Sequence, residues 1–349
     1  MTDIKTTDKK YIMWKKRRDL RIHKFEIKKK KWKKERKKNT NLEKVDRSIK
    51  FLERNYLPDR TISVPNQFSL INNPETTINF FDELIGLIYN KVKQRVYINM
   101  KNVETITVDA LIYLLAVIKN MRAEGIVYKN PIEGNYPENK EAYNIFVKSG
   151  FLDYMNNGLE KIDSKDVSRI YYGSNYDQNV SKKMCVFAHN NSSLTVDDTD
   201  YLYNSICEMM LNTVQHAYES TSKLINNWYS YAECNDEDII YMFFDTGEGI
   251  PSTIERNVSF LGIKKEKDSD MLSSAMNGDF RSSTKLKTRG SGLVSIKNSI
   301  SLDKIKYLSV ITNKASNTYM INENNLVENK SDMKGSLTGT LYYWKIRRI

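Results

Sequence analysis

Three residues in the stretch EMMLNTVQHAY, Glu208, Asn212 and His216, recur every fourth position. On a helix the positions i, i+4 and i+8 form one slowly drifting stripe, so a carboxylate, an amide and an imidazole would line one wall together. Taken alone, the stripe reads first as a solvated helix face, and His216 at its far end is expected to be structural. Further on, an apolar strand, Ile239–Phe244, runs into Asp245 and the turn DTGEGI, with Gly247, Gly249 and Ile250. Glycines at such a turn let a ligand lie against bare backbone, and a carboxylate there can accept a hydrogen bond from an exocyclic amine such as that of adenine. Next comes RGSGL, in which Arg289, Gly290, Ser291 and Gly292 precede an apolar helix starting near Leu293. Free N–H groups at a helix start, reached through glycines, suit phosphate oxygens. Near the end, Gly339 and Thr340 enter a last strand.

These pieces, in this order, resemble the GHKL ATPase fold shared by histidine kinases, anti-sigma-factor serine kinases, gyrase B, Hsp90 and MutL. EMMLNTVQHAY is similar to the N box, closest to the ExxxNxxxHAY form of the anti-sigma-factor kinases; DTGEGI matches the G1 box, RGSGL the G2 box and TGT the terminal threonine element. The resemblance runs from residue 195 to the end. It implies ATP and Mg²⁺ as cofactors, with Asn212 on the metal and Glu208 as the base for an attacking water or a protein hydroxyl. It further implies Asp245 on adenine with Thr340 assisting, Gly247, Gly249 and Ile250 shaping the turn, and Arg289, Gly290, Ser291, Gly292 and Leu293 at the phosphates. The polar stretch between the G1 and G2 boxes is expected to be a mobile lid, with Arg281, Lys285, Lys287 and Arg289 either phosphate contacts or plain solvated charges. There is no GxxxxGK[ST], so this is no P-loop enzyme. The nine residues after Thr340 leave no room for the transducer domain of gyrase, Hsp90 and MutL, which disfavours their chemistry. His23, in the basic arm, and His189, read as lying in a polar turn, do not resemble the phosphoacceptor of a histidine kinase.

The elements that must hold this site are expected to be α/β in class. A helix opening near Asp197 or Asp198 carries the polar stripe, with Leu202, Ile206, Met209 and Met210 as its apolar face. Upstream, TISVPNQFSLI reads as strand, PETTINFFDELIGLIYNKV as helix, QRVYINM as strand, TVDALIYLLAVIKNMRAEG as helix, IVYKN as strand and NKEAYNIFVKSGFLDYM as helix. That order resembles the STAS domain of anti-sigma-factor antagonists. On that pattern the phosphoacceptor falls near Val108 to Ala110, with Asp109 in place of the usual serine and Thr105 and Thr107 close by. This favours a docking or dimerisation module, and a generic α/β domain without a site remains open. The resulting organisation is a basic helical or disordered arm, 1–60; a STAS-like α/β domain, 61–160; a linker and the start of the ATPase domain, 161–194; and the GHKL-like sandwich, 195–349.

Charge sharpens the partner question. The chain has 349 residues and a net charge of +12, yet residues 1–50 hold 21 Lys and Arg against 7 Asp and Glu, while the rest hold 34 against 36. The basic stretch, residues 9–38, could take nucleic acid through phosphates and its aromatics Trp14, Phe25 and Trp32, or an acidic partner protein, or be a solvated tail. No run approaches the roughly 18 apolar residues of a membrane span, and there is no leader-like segment, so a cytoplasmic protein without membrane contact is expected. Cys185, Cys207 and Cys234 suggest neither a disulfide framework nor a zinc site. Three functions stay open: a GHKL-type ATPase or nucleotide-gated switch acting on a separately encoded partner, a serine/threonine protein kinase, or a non-catalytic ATP binder that acts through its arm. A homodimer is compatible with each. The STAS-like and GHKL-like pairing is similar to chains of bacterial regulatory or mobile-element (phage) defence cassettes.

Overall fold

The computed structural model describes residues 60–89, 96–123, 132–155, 165–216, 227–258, 266–279, 291–301, 305–323 and 325–348. By its contacts the chain divides into Met1–Thr61 with Gln94–Tyr97, and Ile62–Lys93 with Ile98–Ile349. The first unit, and with it the basic arm, lies almost wholly outside the described residues. The second holds nearly all of both segments expected to form separate domains, 61–160 and 195–349.

The described chain is mixed α/β. Strands β1 (Arg60–Ser63), β3 (Val96–Asn99) and β5 (Ile132–Gly134) form one small sheet in the order β1-β3-β5, and β2 (Gln67–Phe68) pairs in parallel with β4 (Thr105–Ile106). The stretch 61–71, expected as one strand, is therefore two short ones, parted near Pro65, which lacks the N–H that a ladder needs. Helix α1 (Pro74–Tyr89) starts on a proline, whose missing N–H costs nothing there. Helix α2 (Val108–Ala123) is buried continuously from Val108 to Ile118, so it is a central element covered on every side. Asp109 is buried in its first turn, where Oδ1 accepts from the Leu70 amide at 2.6 Å, and burial pushes its carboxyl up to about 6. Residues 126–130, expected as strand, lie outside the described residues. The expected single helix over 139–155 is two, α3 (Lys140–Lys148) and α4 (Phe151–Met155), because the chain turns at Gly150 with φ +78°.

The segment 161–194, expected as a linker and the start of the ATPase domain, contributes β6 (Tyr171–Gly173) and helix α5 (Gln178–Asn191). His189 lies in the last turn of α5 and not in a polar turn; the apolar row Val180, Met184, Phe187 and Ala188 carries the helix through it. Its Nδ1 meets the Leu194 carbonyl at 2.7 Å and its Nε2 the Thr199 hydroxyl at 3.4 Å, a structural clasp between α5 and the next helix. That helix, α6 (Val196–His216), starts before Asp197 because Thr195 and Asp198 form a reciprocal cap: the Thr195 amide and hydroxyl donate to Asp198 Oδ2 at 2.8 and 2.6 Å, and the Asp198 amide donates back to the hydroxyl at 3.3 Å.

Strands β7 (Trp228–Cys234), β8 (Asp238–Asp245), β9 (Tyr307–Asn322) and β10 (Asn325–Arg347) complete a five-stranded sheet ordered β6-β7-β8-β10-β9. Alternate residues face opposite sides. One face, with Ile239, Tyr241, Phe243, Leu308, Val310, Tyr342 and Trp344, shares a core with Met184 of α5 and Leu202, Ile206, Met209 and Met210 of α6. The other face meets α2, whose Tyr113 ring lies edge-on to Phe244 at 5.3 Å and to Phe81 of α1 at 4.4 Å. Burial on both sides explains why Ile239–Phe244 reads as a continuous apolar run. Between β8 and β9, the stretch expected as a lid contains α7 (Ile250–Val258) and α8 (Asp268–Asn277), the latter with Met271, Leu272 and Met276 buried and stopped by Gly278 at φ +87°. Helix α9 (Ser291–Ser301) begins two residues before Leu293. Among the described residues, no helix is long and apolar enough to cross a membrane, and the three cysteines are free.

Candidate functional site

Strand register builds the site's floor. Trp228 stands opposite Asp245, Asp245 opposite Thr340, and Thr340 opposite Thr312, so one lateral row crosses β7, β8, β10 and β9 on the face covered by α5 and α6. Asp245 follows Ile239, Tyr241 and Phe243 on that face, where the core reaches its end and a polar side chain is partly open to solvent. Its Oδ1 accepts the Gly247 amide at 2.9 Å, and the Thr340 hydroxyl, on the residue paired opposite it, also favours the ionised carboxyl. Surrounding protein outweighs these two donors and pushes the carboxyl up to about 7. An acid poised in this way can still accept a further hydrogen bond from a ligand, which would favour its ionised form.

The turn after Asp245 is held from several directions. The Thr246 amide donates to the Asn227 carbonyl at 3.0 Å, and the Asn227 amide donates to the Thr246 hydroxyl at 2.8 Å. Gly249 has φ +89°, and a Cβ there would collide with the Asn313 side chain. Gly339 has φ +105°, and its Cβ would run into the Asp245 carbonyl. A Cβ on Gly247 would stand 2.8 Å from Asp245 Oδ1. The room these glycines leave is thus taken by the chain itself, where the sequence reading assigned the room at Gly247 and Gly249 to a ligand.

Two residues of β9 that no motif contained take part. The Thr312 hydroxyl donates to the Gly339 carbonyl at 3.0 Å, accepts the Ile250 amide at 3.1 Å and meets the Thr340 hydroxyl at 3.1 Å. Asn313, at φ +50°, donates from Nδ2 to the Glu248 carbonyl at 2.9 Å and accepts the Ser252 amide at 3.2 Å. The available signal was a mostly apolar strand, LSVIT, closing on an asparagine, one of the few residues besides glycine that enters left-handed backbone readily.

Glu208 and Asn212 lie on α6 with their side chains partly exposed, beside the buried Met209, Met210 and Thr213. Among the described residues, neither side chain has a hydrogen-bond or ion-pair partner. The backbone of His216 closes α6, and its side chain lies outside the described residues. Ser291 and Gly292 open α9, whose Ile296 and Ile300 enter the same core as α6. Leu293 and Ile250 both pack on the small cluster of Ile254, Met271 and Ala275, which ties the starts of α7 and α9 together. Arg281, Lys285, Lys287, Arg289 and Gly290 lie outside the described residues. Asp245, Gly247, Gly249, Ile250 and Thr340 are therefore joined directly, while Glu208, Asn212, Ser291, Gly292 and Leu293 come from helices packed on the same sheet face.

Among the described residues, no group of three or more His, Cys, Asp or Glu could hold a metal by itself. A cation at Asn212 would need most of its ligands from a bound anion and from water, as suits Mg²⁺ carried by phosphates. No protein-family model matches the chain, and no curated protein matches it.

Proposed function

We propose that the chain is a Mg-ATP-binding, GHKL-type ATPase or nucleotide-gated switch that regulates a partner. The observation that carries this reading is the joined set of Asp245, Thr340 and the DTGEGI turn: an acceptor carboxyl backed by a hydroxyl at the open end of a buried strand. It is supported by the stripe of Glu208 and Asn212 on a helix over the same sheet face. In this reading Asp245 and Thr340 receive adenine, the start of α9 receives phosphate, and Asn212 helps to hold Mg²⁺, which would neutralise phosphate charge. Glu208 orients a water and takes its proton as the terminal phosphoryl group is attacked.

Helix α2 of the STAS-like segment then lies against the reverse face of the sheet, with Tyr113 reaching Phe244, the neighbour of Asp245. Such a segment suits a docking surface for a separately encoded, cytoplasmic partner. Phosphoryl transfer to a protein hydroxyl is the second reading, favoured by the EMMLNTVQHAY stretch and by this same segment. The buried Asp109, in place of an exposed serine, argues that any protein substrate is a different chain.

The test is to incubate the full chain with Mg²⁺ and γ-labelled ATP, with Glu208→Ala and Asp245→Asn as controls. Label released as free phosphate, and lost in both variants, is the expected result. Label on protein would make the chain a kinase. ATP bound without movement of label would make it a switch, and no ATP binding would overturn the reading.

A further inference from the structure

Thr312 and Asn313 occupy a position that core packing alone does not require. Leu308, Val310 and Thr312 follow one another on the core face of β9, and valine would fill the third place as well as threonine does. What threonine adds is a hydroxyl, fully buried and committed on every side: its one proton lies toward the Gly339 carbonyl, and its lone pairs face the Ile250 amide and the Thr340 hydroxyl. With that proton engaged, Thr312 can only accept from Thr340. The Thr340 hydroxyl, on the residue paired opposite Asp245, therefore directs its proton to Thr312 unless another acceptor takes it. Asn313 fastens the other side of the turn. Its amide bridges Glu248 and Ser252, straddling Gly249, at the point where the β9–β10 register breaks between Leu337 and Thr340.

We propose that Thr312 and Asn313 are positioning residues for recognition of the adenine base. Thr312 sets the height and proton direction of Thr340 beside Asp245, and Asn313 fixes the turn that leads from Asp245 into α7. The inference rests on the ATP-site reading above. It assigns base selectivity, as distinct from phosphate binding, to a dipeptide that touches no ligand itself.

The test compares the full-length wild type with Thr312→Val, Thr312→Ser and Asn313→Gly, using three probes: ATP, purine riboside triphosphate, which lacks the exocyclic amine, and inorganic tripolyphosphate. Amide hydrogen exchange across residues 246–254 of the ligand-free protein is read in parallel. Thr312→Val leaves a buried amide and a buried carbonyl unpaired, and is expected to speed exchange at Ile250 roughly tenfold and to weaken ATP by a similar factor. Purine riboside triphosphate should lose less than ATP, tripolyphosphate should be unmoved, and Thr312→Ser should restore the wild-type pattern. Asn313→Gly, which tolerates the backbone angle, should speed exchange at Ser252 and lower ATP selectivity in the same sense.

A merely structural threonine would weaken all three probes by one factor, and that result overturns the proposal. So does unchanged exchange, or unchanged selectivity in a wild type that binds ATP. A wild type that binds no ATP overturns the nucleotide reading and this inference with it.

Discussion

Asp245 should make the ligand-free protein less stable as pH rises toward neutrality, and Asp245→Asn should remove that dependence. Its carboxyl stands at about 7 in the fold against an ordinary 3.8. The folded state therefore holds the proton more tightly than the unfolded state, and stability falls with pH between the two values. A shift of about three units corresponds to about 4 kcal/mol at the limit, at 1.36 kcal/mol per unit. The partly open side chain brings the expected loss to roughly 2–3 kcal/mol between pH 4 and pH 8. Asp109, raised to about 6, contributes in the same direction over a lower window, but it is present in both proteins and cancels in the difference. The assay is urea unfolding of wild type and Asp245→Asn at half-unit steps of pH, without nucleotide. The two stability curves should diverge from pH 4 upward and run parallel above about 7.5. Curves that stay parallel throughout would show that Asp245 ionises normally and that the floor of the site is wet. If a ligand amine donates to the ionised carboxyl, ATP should also bind more weakly as pH falls below about 7, by up to tenfold per unit.

Gly339→Ala should cost about 2–4 kcal/mol, combining a left-handed backbone angle with a Cβ driven into the Asp245 carbonyl, as measured by denaturant unfolding. Gly86→Ala, in the exposed middle of α1 with no atom within 4 Å of the new Cβ, should instead stabilise by about 0.5–1 kcal/mol in the same assay. Thr195→Ala should cost about 1 kcal/mol by removing the cap of α6, and Thr195→Ser should recover most of it.

The parts of this protein that were legible in the sequence are those whose signal is local. The apolar period of α6, the buried run of β8 and the glycines after Asp245 each reflect nearest-neighbour geometry, and the structure forms each element there. The boundaries that moved did so for local chemical reasons: a reciprocal cap at Thr195 that starts α6 at Val196, one or two residues early, and a glycine at 150 that splits a helix. Within 161–194, which reads as a linker and the start of the ATPase domain, local pattern does not separate the two parts, and only contact with α6 shows which residues of α5 are core. The hairpin of β9 and β10 gave little warning either. Its outer half is rich in Asn, Lys and Ser, and Ala315, Asn317 and Tyr319 are buried where α8 and α9 pack on β9.

Sequence alone determined the residue types of the candidate site, because a carboxylate, an amide and closely spaced glycines are chosen for chemistry within a few positions of one another. Tertiary structure alone decided what holds them. Thr312 lies 62 residues from the Ile250 amide it receives and 27 from the Gly339 carbonyl it meets. Tyr113 reaches Phe244 across a layer boundary that no local pattern marks. Hydrogen-bond saturation and close packing act through space, so a buried hydroxyl in an apolar strand acquires its meaning only when its three partners have been folded around it.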